Sequence, residues 1–308
     1  MENLVDYALQ TKYYKVRKLK NNLEQFDKIV NWRKFLRYFP TRSSFVGRPE
    51  YEKVLMIKIL FLQGCYSLSD EEMEYECYNR LDFQQFLGFP KNIPDYSTIW
   101  RFREEMAEGN IIEEVWIELQ RQITNHGIII EKGMIQDAKF IHADPGKTNS
   151  GMKDRGKGQP SSRNEDATWT KKGKKNIFGY KMHTKTDTKN KLIIELAVTT
   201  AKTHDGRIDL AKPDEIIKRD RGYSEMGTRA KGDGTIKRGN LTPHEELRNK
   251  RISRIRCRGE HPYGTMTRIL KAGHTRLTEL HRVYIQQVFV CFAYNIHRLN
   301  FLLKKHIA

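Results

Sequence analysis

Apolar residues in the first 130 positions recur at the spacing of helices. Ser69-Asp70-Glu71-Glu72 has the form of a capping box at a helix start, and Gly88-Phe89-Pro90 interrupts the pattern that follows it. The pattern predicts four helices, over residues 51–64, 69–87, 97–107 and 111–126.

The third predicted helix carries two arginines beside an apolar stripe. Ile99, Phe102 and Met106 form the stripe, and we expect Arg101 and Arg103 to lie off it. A helix, a turn and a second helix with exposed arginines are typical of DNA-reading units, so both arginines are candidates for DNA contact. The alternative is a purely structural helix, since any small helical domain exposes arginines.

Beyond residue 130 the apolar runs become short and the period changes to that of strands. We expect a hairpin between the second and third strands and a long apolar helix over residues 278–303 at the end of the chain. The predicted strands cover residues 134–141, 178–183, 192–198 and 215–221. The change of period predicts a helical domain over residues 1–130 and a strand-containing domain over residues 131–308.

The charge of the chain favours a polyanionic partner. Its 308 residues include 56 Lys and Arg against 38 Asp and Glu, a net charge of +18, and each phosphate that such cations neutralise releases a counterion. The most apolar stretch, residues 283–296, is too short to span a bilayer, and the N-terminus lacks the pattern of a secretory signal. We expect a cytoplasmic nucleic-acid-binding protein with no membrane segment, whose four scattered cysteines are reduced.

Residues 143–176 are rich in Gly, Ser, Asn and Lys and hold nine Lys or Arg against four acids. This composition predicts a basic loop that becomes ordered on DNA, with Lys171 and Lys172 among its contacts. A plain solvated insertion is the alternative.

Three acids stand in unusual surroundings for so cationic a chain. Asp137 and Asp220 lie on apolar, strand-like runs, where Asp is uncommon, and Glu260 lies in the basic segment 256–268. Divalent ions held by a few carboxylates promote phosphodiester hydrolysis and transfer, and Mg²⁺ prefers oxygen ligands. The pattern favours a metal site formed by these acids. The alternatives are a turn residue at Asp137 and surface ion pairs at Asp220 and Glu260.

Several motifs resemble the DDE-type insertion-sequence transposases of bacteria and archaea. Residues 55–71 and Ile93-Pro94-Asp95-Tyr96-Ser97 with the six residues after them are similar to the InsH-like N-terminal region of that family. The likeness extends over residues 50–300. Its later motifs are Asp137-Ala138, Phe178-Gly179-Tyr180-Lys181-Met182-His183, Arg219-Asp220-Arg221-Gly222-Tyr223, and Arg256 followed by Glu260-His261-Pro262-Tyr263-Gly264.

The resemblance implies an α+β or α/β fold, in which an all-helical DNA-binding region precedes a ribonuclease H-like mixed-sheet domain. It also implies that Asp137, Asp220 and Glu260 are the catalytic acids and hold two Mg²⁺ ions, which Mn²⁺ can replace. The implied reaction is metal-dependent cleavage at the ends of the element, followed by strand transfer. The implied partners are double-stranded DNA, at terminal inverted repeats and at the target, and a second copy of the chain at the nucleoid.

The chain departs from the family signature at two positions, because Ser253 stands where the family has Tyr and Thr267 stands where it has Lys. Arg268 is the candidate replacement for that Lys. Two roles are open for Tyr223, which are stacking on a DNA base and supporting Asp220. Phosphate contacts are expected from three arginines near the third acid, Arg256, Arg258 and Arg268.

Two other functions remain open. One is a non-catalytic, basic nucleic-acid-binding protein whose acids are structural, and metal-dependent cleavage distinguishes a transposase from it. The other is a ribonuclease H-like nuclease without strand transfer, and joining of the cut DNA to a target distinguishes a transposase from that.

Overall fold

The computed structural model describes residues 10–15, 22–40, 49–146, 164, 166–224 and 227–307, which form two compact units. The helical unit contains the described residues up to Gly127 together with those from Asn295 onward. The sheet unit runs from Ile128 to Tyr294. The chain is therefore helical first and mixed α and β afterwards, which confirms the predicted fold class.

The described residues of the helical unit form α1 to α7, a 3-10 helix over Trp32–Tyr38 and the last part of α10, the helix Leu280–Ile307. All four helices predicted from periodicity are present, and one of them is divided in two. The bounds are residues 10–15 for α1, Asn22–Ile29 for α2, Lys53–Tyr66 for α3, Asp70–Asn79 for α4, Leu81–Leu87 for α5, Tyr96–Glu108 for α6 and Ile111–Asn125 for α7.

The predicted capping box starts α4, with the Ser69 hydroxyl accepting from the Glu72 amide and the Glu72 carboxylate accepting from the Ser69 amide. The helix ends at Arg80, whose backbone is extended, instead of continuing to residue 87. The Arg80 guanidinium donates two hydrogen bonds to Asp82 in the first turn of α5, and this local pair stabilises the break. Gly88 then ends α5 in the left-handed conformation, with φ of 82°.

The stripe of α6 is buried as predicted, but Arg103 is buried with it, and the prediction that Arg103 faces solvent is wrong. Only 3% of Arg103 is exposed, and its Nη1 donates to Asp70 Oδ2 at 3.0 Å. Position 103 follows Ile99 by four residues and precedes Met106 by three, so it lies on the same face. Arg103 is a structural ion-pair partner and is not available to DNA.

One mixed six-stranded sheet forms the centre of the sheet unit. The strand order is β2-β3-β1-β5-β6, and β4 pairs with β3. The strand β3 is antiparallel to β1, β2 and β4, whereas β5 is parallel to both β1 and β6. The bounds are β1 Gly133–His142, β2 Thr168–Lys172, β3 Lys175–Asp187, β4 Ile193–Thr200, β5 Ile216–Arg219 and β6 Gly232–Thr235.

The predicted basic loop is only partly a loop. Residues 168–176 form β2, a turn at Gly173 and the start of β3, so the prediction is wrong there, while residues 147–163 and 165 lie outside the described residues. Thr168-Trp169-Thr170 has the β-branched and aromatic content typical of strands. Lys171 and Lys172 are exposed at the end of β2, opposite Asn176 and Lys175 of β3.

Three helices complete the sheet unit: α8 over Pro243–Arg256, α9 over Glu260–Arg268 and the first part of α10, Leu280–Ile307. A 3-10 turn, Cys257–Gly259, links α8 to α9. Among the described residues, no helix combines the length and apolar character needed to cross a bilayer. All four cysteines are free thiols, and only Cys257 is exposed.

Candidate active site

The pairing of β1 with β5 places Asp137 and Asp220 side by side. The two strands are parallel, and their register runs from Gly133 opposite Ile216 to Ile135 opposite Lys218. Continuing this register by two residues sets Asp137 opposite Asp220, the residue directly after β5. Neighbouring strands lie about 4.8 Å apart, so two acids distant in sequence meet at one level of the sheet.

The guanidinium of Arg256, the last residue of α8, lies between the two carboxylates. Its Nη1 is 3.6 Å from Asp137 Oδ1, and its Nη2 is 3.7 Å from Asp220 Oδ1. The Nε atom is buried without a hydrogen-bond partner among the described residues. Arg256 therefore balances two acids in this structure, which differs from its predicted contact with a DNA phosphate.

The surroundings of Asp137 disfavour its charged form in part. Burial raises the pKa of Asp137, Arg256 and a hydrogen bond from the Ala138 amide oppose the rise, and the charges of Asp220 and Asp205 add to it. The Ala138 amide donates to Asp137 Oδ1 at 3.0 Å. A further cation at this position would lower the pKa of the carboxyl and favour its ionised form.

Glu260 is the first residue of α9 and follows Arg256 by four positions. Its side chain is exposed. No three His, Cys, Asp or Glu side chains in the described part of the chain converge closely enough to hold a metal ion. The structure thus brings Asp137 and Asp220 together, and it leaves the third predicted acid outside that pair.

The start of α9 is fixed against β1. A Cβ atom on Gly259 would lie 2.6 Å from Ile135 Cγ2, so the close approach of this turn to the strand requires glycine. Further along α9, the buried Tyr263 hydroxyl donates to the main-chain oxygen of Asp137 at 2.7 Å and accepts from the Thr184 hydroxyl at 2.8 Å. Burial raises the pKa of Tyr263 well above its usual value, so the hydroxyl keeps its proton.

A fourth acid, Asp205, lies beside the turn that follows Asp220. A Cβ atom on Gly222 would lie 3.2 Å from Asp205 Oδ2, and Lys181 Nζ is 2.8 Å from Asp205 Oδ1. Asp205 begins a short 3-10 helix, Asp205–Arg207, which His204 caps, because the His204 Nδ1 accepts from the Gly206 amide. One feature of the sequence could have indicated a further acid at the site. Lys181 lies between Tyr180 and Met182 in an apolar strand, and a buried charge requires an oppositely charged partner nearby.

Tyr223 is 1% exposed, so its ring is not accessible to a DNA base in this conformation. Its amide donates to the main-chain oxygen of Asp220 at 3.1 Å, and its ring centre is 5.5 Å from the Arg219 guanidinium. Arg219 is itself buried and donates to the Thr235 hydroxyl. Of the two open roles, the contacts favour support of the turn that carries Asp220.

His183 is a structural histidine. It is fully buried on β3, and its Nε2 lies 3.0 Å from the Thr199 hydroxyl. Burial lowers the pKa of His183 to about 4, so the ring is neutral near physiological pH.

The other predicted DNA contacts are exposed. Arg258 and Arg268 face solvent near α9, and Arg101 lies on the surface of α6, where its Nη2 donates to the Ser97 hydroxyl at 3.1 Å. At the position where the resembling family has Lys, the Thr267 hydroxyl accepts a hydrogen bond from Lys139 Nζ. Lys139 of β1 thus places an ammonium group beside Thr267, the position at which the resembling family has a Lys on the helix itself.

Two protein-family models match the chain. The model described as "Transposase domain (DUF772)" matches residues 11–105. The model described as "Transposase DDE domain" matches residues 130–296, which is more than half of the chain. No solved structure matches the chain.

Proposed function

Because the chain belongs to the DDE transposase family, we propose that it cleaves DNA at the ends of an insertion sequence in a metal-dependent reaction and joins those ends to target DNA. Asp137 and Asp220 carry this proposal, because two parallel strands set their carboxylates at one level around a single cationic group. We infer that the mixed sheet belongs to the ribonuclease H-like class.

The acid pair suits a hard divalent cation. The Oδ1 atoms of Asp137 and Asp220 both face the Arg256 guanidinium, so the same two oxygens can face a metal ion in its place. Glu260 would join them by turning inward from the start of α9. The proposed ions are two Mg²⁺, replaceable by Mn²⁺, which when bound would activate the attacking oxygen and stabilise the leaving one.

Arg256 has two successive partners in this proposal. Without DNA, Arg256 offsets the electrostatic repulsion between Asp137 and Asp220. Once the two carboxylates are neutralised by bound metal ions, Arg256 is released to pair with a DNA phosphate. Asp205 and Tyr223 support the turn after Asp220 throughout.

A row of exposed cations leads along α8 to Glu260. Lys250 and Arg254 lie four residues apart on α8, a rise of about 6 Å along one helix face, and Arg258 follows in the 3-10 turn before Glu260. None of the three forms an ion pair with another described residue. With Arg268 they form a surface suited to the sugar-phosphate backbone, which positions DNA without reading its sequence.

The helical unit is the proposed reader of the terminal repeats. Arg101 lies on the exposed face of α6, together with Tyr96 and Trp100, which are 53% and 41% exposed. Arginine and aromatic side chains on one helix face can contact base edges and backbone. A homodimer in the DNA complex would bring the two ends of the element together.

A joining assay tests the proposal. The full chain is incubated with Mg²⁺, a labelled DNA fragment carrying one end of the element, and a circular target. We expect cleavage at the end of the element and transfer of label to the circle. Cleavage without transfer would favour a nuclease, and binding without cleavage would favour a repurposed DNA-binding protein.

A further inference from the structure

A single buried hydroxyl group connects three elements of the candidate site. Tyr263 on α9 donates to the main-chain oxygen of Asp137 on β1 at 2.7 Å. It accepts from the hydroxyl of Thr184 on β3 at 2.8 Å, and Thr184 is the residue opposite Asp137 in the β1–β3 pairing. Both distances are those of well-formed hydrogen bonds, and Tyr263 is only 6% exposed.

We propose that Tyr263 is a positioning residue that sets the location of Glu260 relative to Asp137. The inference rests on the proposed function, because it concerns the same acids. Tyr263 follows Glu260 by three residues, so the two side chains are neighbours on the surface of α9. Holding Tyr263 at the Asp137 carbonyl therefore fixes both the height and the rotation of the helix turn that carries Glu260.

The other contacts of α9 with the sheet constrain that rotation less. The approach of Gly259 to Ile135 limits how near the chain comes to β1, but it is a steric contact without direction. Lys139 binds Thr267, seven residues after Glu260 and near the far end of the helix. Two further hydrogen bonds hold this turn at 3.3 Å, from Lys139 Nζ to the Tyr263 main-chain oxygen and between the His261 ring and the Tyr294 hydroxyl. The Tyr263 hydroxyl makes the shorter contact, at 2.7 Å, and it is the one that joins the turn directly to the backbone of Asp137.

Tyr263→Phe removes this contact and keeps the ring. Tyr180→Phe is a matched control, since Tyr180 is fully buried in the same sheet unit and its hydroxyl donates to Asn164 Oδ1 at 2.7 Å. Glu260→Gln is the reference for loss of the third acid. For each full-length variant we would measure turnover at saturating DNA, DNA affinity, melting temperature and Mn²⁺ affinity by calorimetry.

We expect Tyr263→Phe to lower turnover by about tenfold to a hundredfold, the scale of a small misplacement of a reacting group. Its DNA affinity should stay near that of wild type, and its Mn²⁺ affinity should fall towards that of Glu260→Gln. Tyr180→Phe should lower the melting temperature to a similar extent but leave turnover and Mn²⁺ affinity unchanged. Adding Glu260→Gln to Tyr263→Phe should weaken Mn²⁺ binding no further than Glu260→Gln alone.

Thr184→Val provides a second test if Tyr263→Phe is too unstable to study. It removes the donor to Tyr263 and keeps the bond to Asp137, so its effects should have the same direction and be smaller. The inference is overturned if Tyr263→Phe matches Tyr180→Phe in turnover and Mn²⁺ affinity while Glu260→Gln loses both. If Glu260→Gln itself cuts DNA and binds Mn²⁺ like wild type, the proposed function fails and this inference fails with it.

Discussion

The packed helices of the helical unit and the α8–α9 segment of the sheet unit use their positive charge differently. Among the packed helices, three cations are paired with acids: Lys53 lies 2.6 Å from Glu105, Lys58 lies 2.6 Å from Asp27, and the buried Arg103 binds Asp70. Along α8 and α9 most cations are exposed, but Arg248 donates to main-chain oxygens of β6, and Arg256 turns inward to two acids.

This difference separates net charge from DNA-binding surface. A charge of +18 predicts a polyanionic partner, but a cation that already neutralises an acid within the fold adds little to that surface. Unpaired, exposed cations beside the candidate acids are the ones expected to meet phosphate. The paired cations of the helical unit would then contribute little to DNA affinity, and exposed side chains such as Arg101 would provide its contacts.

The acids of the sheet unit give the largest expected effect. Asp137→Asn, Asp220→Asn and Glu260→Gln should each lower cleavage by about a hundredfold or more, because each removes a metal ligand without changing shape. Cleavage and DNA binding should be measured in parallel, and binding should persist. Asp214→Asn, a change at an exposed acid paired with Lys132, is the control and should cut normally. A variant at one of the three acids that cuts at the wild-type rate would remove that acid from the site.

The buried cation of the helical unit gives the next effect. Arg103→Ala should lower the free energy of unfolding by about 3 to 5 kcal/mol, because it leaves Asp70 without its partner. Arg101→Ala, two residues away and exposed, should change it by about 0.5 kcal/mol or less. Denaturant unfolding of the two variants tests this directly. Equally small losses of unfolding free energy in the two variants would show that the Arg103–Asp70 ion pair does not stabilise the fold. The contrast between the two regions would then be weaker.

Specificity should depend on Arg101. Arg101→Ala in the full chain should reduce the preference for element ends over random DNA by about 1 to 3 kcal/mol, the value of a lost base contact. Arg101→Lys keeps the charge and loses the forked donor geometry, so it should reduce the preference almost as much. Competition binding with terminal and random fragments measures both. An unchanged preference would show that residues outside α6 recognise the ends of the element.

The smallest effect concerns the salt dependence of binding. Arg258→Ala and Arg268→Ala should each lower the slope of log affinity against log salt concentration by about one, because each removes one phosphate contact. Arg229→Ala is the control, since Arg229 is exposed but donates to Asp209 within the sheet unit. Its slope should stay at the wild-type value. A wild-type affinity that hardly changes with salt would show that these cations do not contact DNA.

Elements with a clear period could be predicted from the sequence. The long helix α10, the β3–β4 hairpin, the strand carrying Asp137 and the strand that ends just before Asp220 all follow from apolar runs and the turn residues that bound them. The errors arise where a polar residue lies on a buried face. Arg103 occupies an apolar stripe because Asp70 meets it there, and only the packing of α4 against α6 reveals that acid. Similarly, β2 is strand because it pairs with β3, despite its lysines.

Within the candidate site, the sequence could predict only those residues whose positions are determined by the local sequence around them. Asp137 and Asp220 are adjacent because two strands share a register. The location of Glu260 depends on how α9 docks, and the contacts that fix it come from residues 79 and 126 positions away from Tyr263 in the chain. Sequence patterns carry no information about such pairs, so the roles of Tyr263, Asp205 and Arg256 emerge only from the folded chain.

The central claim is that Asp137 and Asp220 together hold the ion that drives cleavage. Metal rescue tests this claim most directly. In Asp220→Cys a softer thiolate replaces a carboxylate, so the variant should fail to cut a labelled end fragment with Mg²⁺ and regain measurable cleavage with Mn²⁺. Asp220→Ala should be inactive with both ions. Cleavage by Asp220→Cys at the wild-type rate with Mg²⁺, or by Asp220→Ala with either ion, would contradict the account.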